Sequence, residues 1–148
     1  MLFRSPAPEK TGVHLYFSDR DKPYLVAEER ILLRSNDRLQ YASAIVNELI
    51  EGPEQDLAPT IPEDVELKAL YIAPDGVAYV DLTSDIRTRH PGGSESELLT
   101  IYSIVNSLGL NVPGIESVKI LVGGRDAMTL AGHIDLRYPF ETNMLLVR

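Results

Sequence analysis

The chain has 148 residues, 44% of them apolar and 24% charged, which suits one domain that buries its own core without a covalent staple. Its net charge of −8 opposes non-specific binding to nucleic acid or anionic lipid, and the absence of cysteine excludes disulfides, thiolate metal sites and cysteine nucleophiles. No apolar run reaches the roughly 18 residues of a membrane span.

Residues 1–12 (MLFRSPAPEKTG) read as a linker, because Met1 to Phe3 is too short for the apolar core of a signal peptide. Val13 to Ser18 (VHLYFS) is a strand, Asp19 to Pro23 a turn, and Tyr24 to Leu33 a second strand, which together predict a hairpin. Val26, Glu28 and Arg30 share one face of the second strand, and Leu25, Ala27, Glu29 and Ile31 the other. This pattern is imperfect and suggests an edge or a bulge. Ser35-Asn36-Asp37 caps a helix over Asp37 to Glu51, with Leu39, Ala42, Ile45, Val46, Leu49 and Ile50 as its apolar stripe. Gly52 and Pro53 stop it.

Glu54 to Pro62 is a loop. Val65 to Ala73 and Val77 to Leu82 form a hairpin around Pro74-Asp75-Gly76. Thr83 to Gly93 is polar. Ser94 and Glu97 have capping-box spacing and open a second helix, marked by Leu98, Ile101, Tyr102, Val105 and Leu108 and ending near Gly109. Ile115 to Val122 is a strand broken by Gly123-Gly124, Ala127 to Ile134 a further short strand, and Leu136 to Arg148 a weakly patterned tail. The order ββ-α-ββ-α-β-(β) predicts an α/β fold of the α+β kind. Its architecture is a two-layer sandwich, a mixed sheet with two helices on one face.

Motifs for chemistry are missing. His14, His90 and His133 lack the spacing of a helical zinc site, and there is no G-x-S-x-G elbow, P-loop or dinucleotide fingerprint. Ser18-Asp19 and Ser84-Asp85 read as turn and cap residues. Glu28 and Glu29 alternate across a strand, so they cannot act as a carboxylate pair, while Glu95 and Glu97 suit the first turn of a helix. Gly92-Gly93 and Gly123-Gly124-Arg125 are turns. Arg30, Arg34 and Arg38 are the nearest approach to a basic patch, offset by Glu28, Glu29 and Asp37, and no basic-aromatic interleave suggests a nucleic-acid reader.

Several phrases in order carry a resemblance. Tyr16-Phe17-Ser18-Asp19 is followed by Leu25-Val26-Ala27-Glu28-Glu29-Arg30, Ala44, and Leu49-Ile50-Glu51-Gly52-Pro53. Next come Thr60-Ile61-Pro62, Gly76, Val80-Asp81-Leu82-Thr83, and Ser94 to Glu97 before Ile104-Val105 and Ser107-Leu108. Val118 to Gly124 and Gly132-His133-Ile134-Asp135 close the set. Together they resemble the GerMN domain of spore-germination and sporulation proteins over Val13 to Phe140.

The resemblance implies a linker over 1–12, a GerMN-like domain over 13–140 and a C-terminal tail over 141–148. It further implies a non-enzymatic module of the cell envelope, outside the cytoplasmic membrane, held by an anchor or lipobox upstream of Met1. The family brings no catalytic residues, cofactor or metal to carry over. The matched positions Glu28, Arg30, Gly52, Pro53, Pro62, Gly76, Asp81, Gly123 and Gly124 are expected to act structurally. Expected partners are envelope proteins or a second copy, docking on the sheet edges near Tyr24 to Leu33 or Val65 to Leu82. An alternative is a peptidoglycan-fragment or small-molecule binding domain with Tyr71, Tyr79 and Tyr102 lining a cleft. A hydrolase using Asp81, Asp85 or His90 ranks last.

Overall fold

In the computed structural model, residues 9–148 are described, so the first eight residues of the expected linker lie outside them. Alternating residues form β1 (Lys10–Ser18) and β2 (Leu25–Leu33), which pair antiparallel with Lys10 opposite Leu33 and Ser18 opposite Leu25. The Asp19 carboxylate accepts the N–H groups of Asp21 and Lys22 and fixes the turn between them. The first strand begins at Lys10 rather than Val13.

Helix α1 (Arg38–Glu51) starts where Asp37 Oδ1 accepts from the Leu39 and Gln40 N–H groups. It ends at Gly52, whose positive φ of 99° turns the chain into Pro53. Tyr41, Ala42, Ile45, Val46 and Leu49 form its buried face, while Leu39, at the head of the predicted stripe, is exposed.

Strands β3 (Leu67–Ile72) and β4 (Val77–Leu82) form the second hairpin, with Tyr71 opposite Tyr79. A single helical turn, α2 (Asp85–Thr88), leads to the long helix α3 (Ser94–Asn111), and β5 (Ser117–Val122) returns parallel to β4. Gly123 and Gly124 both have positive φ, as a two-residue hairpin turn requires, and hand the chain to β6 (Arg125–Asp126).

The α+β class and the element order are those expected. The strands divide between two sheets: the β1-β2 pair and a mixed four-stranded sheet in the order β3-β4-β5-β6. Both helices cover the buried face of the larger sheet, formed by Ala78, Val80, Leu82, Val118 and Ile120, α1 against β3 and α3 against β5. Strand β1 lies against both helices and adds Val13, Leu15 and Phe17 to the same core.

Three local expectations are corrected. Ser94 is the first helical residue after Gly93, and no side chain caps the helix start, so the capping box does not form. Gly109 lies inside α3, which runs on to Asn111; a Cβ at Gly109 would collide with Thr142, so this glycine lets the tail cross the helix. Residues 127–134 are a loop and not a strand, because three of their N–H groups bind the Glu97 carboxylate instead of a neighbouring strand. The tail is held at three points: Phe140 exchanges backbone hydrogen bonds with Val118, Asn143 pairs with Asn106, and the Arg148 N–H donates to the Leu25 carbonyl.

Candidate functional site: a buried polar helix and the groove beside it

Helix α3 was expected to carry one apolar stripe. Instead Glu97, Thr100, Ser103, Asn106 and Ser107 are buried together with Ile101, Ile104, Val105 and Leu108. Buried polar groups need partners, and each of these has one outside the helix. Ser103, Ser107 and Asn111 recur at four-residue spacing and so share a face. Ser103 Oγ donates to the Tyr16 carbonyl (2.5 Å), the Tyr16 N–H donates to Ser107 Oγ (3.1 Å), and Asn111 both accepts from the His14 N–H and donates to the His14 carbonyl. Ser18 completes the row by exchanging two backbone bonds with Ala58. The edge of β1 that faces away from β2 is therefore satisfied by a helix and a loop, which separates the hairpin from the larger sheet.

At the start of α3 the Glu97 side chain is fully enclosed. Its Oε1 accepts from the N–H groups of Ala131, His133 and Ile134, and Oε2 from His133 Nδ1 at 2.5 Å. Burial alone raises a carboxyl pKa, but these donors outweigh it and hold Glu97 below the usual range.

Between Glu97 and Ser103 opens a groove of about 540 Å3 bounded by the end of β1, the C-terminal turn of α1, the 59–63 loop and the 89–91 loop. Its floor is a chain of oriented hydrogen bonds. The Gly92 N–H donates to His90 Nδ1, which leaves the neutral ring's proton on Nε2, facing Thr100 Oγ1 at 2.9 Å. Thr100 donates to the Thr60 carbonyl (2.6 Å), and Thr60 Oγ1 meets Ser103 Oγ at 2.6 Å. Burial lowers the His90 pKa more than the Glu97 charge raises it, so the ring is neutral at neutral pH. Neither end of this chain holds a carboxylate that could drive proton transfer, and no Ser or Thr in it has a free base.

A second network lies under β2. Glu28 and Arg30 face inward, not outward as surface charges. Arg30 Nη2 donates to Glu28 Oε2 (2.5 Å) and to the Gly52 carbonyl (2.8 Å), and Nη1 donates to Glu48 Oε2 (2.6 Å). Glu28 also accepts from the Glu54 and Gln55 N–H groups. Burial would raise its pKa; the Gln55, Glu54 and Arg30 donors bring the balance below the usual value. The Arg30 guanidinium sits 5.5 Å from the Phe17 ring centroid, a cation–π position.

Of the other positions singled out in the sequence, Asp81 accepts from the Gly124 N–H at 2.8 Å, across the turn that Gly123 and Gly124 make. Gly76 has φ +91°, and a Cβ there would meet Glu116 Cγ at 2.7 Å, so glycine is needed for the close approach of two turns. Gly52 and Pro53 follow the end of α1, and Pro62 lines the groove. Asp81, Asp85 and His90 share no hydrogen bond with one another among the described residues. Tyr71 and Tyr79 stand together on the larger sheet, ring centroids 6.2 Å apart, and alternate with the residues packed under the helices. Tyr102 packs edge-on against Phe140 on the helix layer, so the three do not line one cleft. Among the described residues no group of three His, Asp or Glu side chains could hold a metal ion, and no helix is long and apolar enough to cross a membrane.

The Germane family, described as "Sporulation and spore germination", matches residues 14–127. No curated protein matches the chain. The fold is shared with several solved structures. One is a Clostridium perfringens protein described as a lipoprotein, 22% identical, with a TM-score of 0.64 over 90% of this chain and 87% of that one. The tandem GerMN domains of the sporulation protein GerM from Bacillus subtilis are 19% identical with a TM-score of 0.70, covering 91% of this chain but 46% of that one. The first GerMN domain of GerM alone is 19% identical with a TM-score of 0.69, covering 90% and 96%.

Proposed function

The chain belongs to the Germane family of sporulation and spore germination, and on that footing we propose that it is a non-enzymatic module of the cell envelope that works by docking a protein partner. The observation that carries this reading is how the interior polar groups are used. Glu28, Arg30, Glu97, Lys119 and the α3 hydroxyls each bind backbone or an opposite charge within the fold. None of them is left poised for chemistry.

The surface supports the same reading. Among the described residues the outer edge of β2 is paired only at Leu25, by Val147, and β3 has no strand on its outer side. Ile31 and Leu33 on β2 are 61% and 59% exposed. An open strand edge with apolar side chains beside it is a place where an extended segment of another protein adds on. The described lipoprotein of similar fold, and GerM itself, favour a site outside the cytoplasmic membrane.

The test is crosslinking of the full-length protein in its native host, with crosslinked peptides identified by mass. Crosslinks from the 25–33 or 67–72 strands to another envelope protein or a second copy support the proposal. Crosslinks confined to other surfaces overturn it. A second reading, binding of a cell-wall fragment, is favoured by the groove beside His90. Retention of glycan fragments, lost on Thr100→Val without loss of folding, would establish it.

A further inference from the structure

The two open strand edges differ in their fitness to receive another strand. On β2 the Arg148 N–H donates to the Leu25 carbonyl and Val147 bridges Leu25 in parallel, so Leu25 turns its backbone away from β1. Backbone direction alternates along an antiparallel pair. Ala27, Glu29, Ile31 and Leu33 therefore turn their N–H and C=O groups the same way, and these groups have no partner among the described residues. The side chains of the same four residues are exposed. Natural sheet edges are blunted by bulges, lysine or proline. Strand β3 carries such guards: its register shifts between Leu67 and Ala69, and the exposed Lys68 sits at the shift. Strand β2 carries none of them. Its pairing with β1 is unbroken from Leu25 to Leu33, and it contains no lysine or proline. The molecule itself uses this edge for strand pairing, because Val147 already occupies its first position.

The outward side chains choose the occupant. Ile31 and Leu33 offer apolar contact beside the open backbone. Glu29 is the one charge among the four. Its carboxylate lies over Gly12 and makes no ion pair among the described residues. A second copy does not complement it: the outward positions of another β2 are Leu25, Ala27, Glu29, Ile31 and Leu33, which hold no cation in any register. A basic segment does, and the net charge of −8 draws it in.

We infer that the outer edge of β2, from Ala27 to Leu33, binds an extended segment of a protein partner that sets apolar residues beside Ile31 and Leu33 and a lysine or arginine beside Glu29. The inference rests on the docking reading above and gives it one edge and one sequence pattern. Backbone hydrogen bonds hold the segment, and its alternate side chains, which share the exposed face with Glu29, select it.

The experiment follows backbone amide shifts of the isotope-labelled chain during titration with three capped nine-residue peptides. The first alternates valine and threonine, with lysine in place of the central valine. The second has glutamate at the centre, and the third is the lysine peptide N-methylated at every residue. Saturable shifts centred on residues 26–33 are expected with the lysine peptide, binding about fivefold weaker with the glutamate peptide, and none with the N-methylated one. Glu29→Lys, a change at an exposed side chain, should reverse the order of the first two peptides and leave the remaining amide spectrum unchanged. Ile31→Pro removes an outward N–H and no bond to β1, and should abolish binding. Equal binding of the lysine and glutamate peptides by the unaltered chain, binding of the N-methylated peptide, shifts centred on residues 67–72, or no saturable binding would each overturn the inference. The docking reading is tested apart from it by the crosslinks in the native host: crosslinks from 67–72 alone overturn this inference and leave that reading standing.

Discussion

Glu28 and Arg30 stand two residues apart on β2, which puts both on the face that the hairpin turns inward. Each is buried with the other, and Arg30 reaches past its partner to Glu48 and Gly52. Removing one member of such a pair leaves an uncompensated charge inside the protein. Glu28→Gln is therefore expected to lower the unfolding free energy by about 3–5 kcal/mol, a large part of the 5–15 kcal/mol typical of a domain. Urea denaturation measures it. The double variant Glu28→Met/Arg30→Met leaves no lone charge at the pair and should recover part of the loss. In the sequence these residues showed only as a strand whose alternation was imperfect. Opposite charges at i and i+2 on one face of that strand were the available signal.

Glu97 was legible as a helix-opening acid and misread as a cap. Its carboxylate faces a loop 34 residues further on, and nothing local specifies that. Glu97→Ala should release residues 131–134, seen as faster amide exchange there, and cost about 3 kcal/mol or more, because three N–H groups and a histidine lose a buried charged acceptor.

At the scale of elements, α3 replaces a neighbouring strand for β1. The Ser103, Ser107 and Asn111 face could be read from the sequence as polar positions at helical spacing, but such a face normally meets water. Here it meets the edge of a strand, because loops and tail cover the helix elsewhere. Ser103→Ala orphans the Tyr16 carbonyl and the Thr60 hydroxyl together and should destabilise by about 1–3 kcal/mol, more than an exposed Ser→Ala change. Gly109→Ala should detach the tail at Thr142, read as lost amide protection at Asn143 with α3 itself intact.

For the molecule as a whole, the lowered pKa values set the response to acid. Glu28 and Glu97 bind protons less readily folded than unfolded, so their contribution is present above the ordinary carboxyl value of 4.5 and is lost as pH falls below it. His90 is also lowered, from 6.5. The folded state favours its neutral ring, so its contribution is full above 6.5 and fades as pH falls through the folded value. Thermal unfolding is expected to lose stability in two stages from neutral pH downward. His90→Gln should remove the first stage and spare the second.

The α+β class, both hairpins, the two helices and the stops at Gly52 and Gly123 were set by periodicity and turn chemistry, which act within a few residues and so can be read from the chain alone. The division into two sheets, the burial of Glu28, Arg30 and Glu97, and the groove beside His90 were decided only by the tertiary structure. Each depends on which distant backbone group or charge a polar side chain meets, and no local pattern encodes that choice.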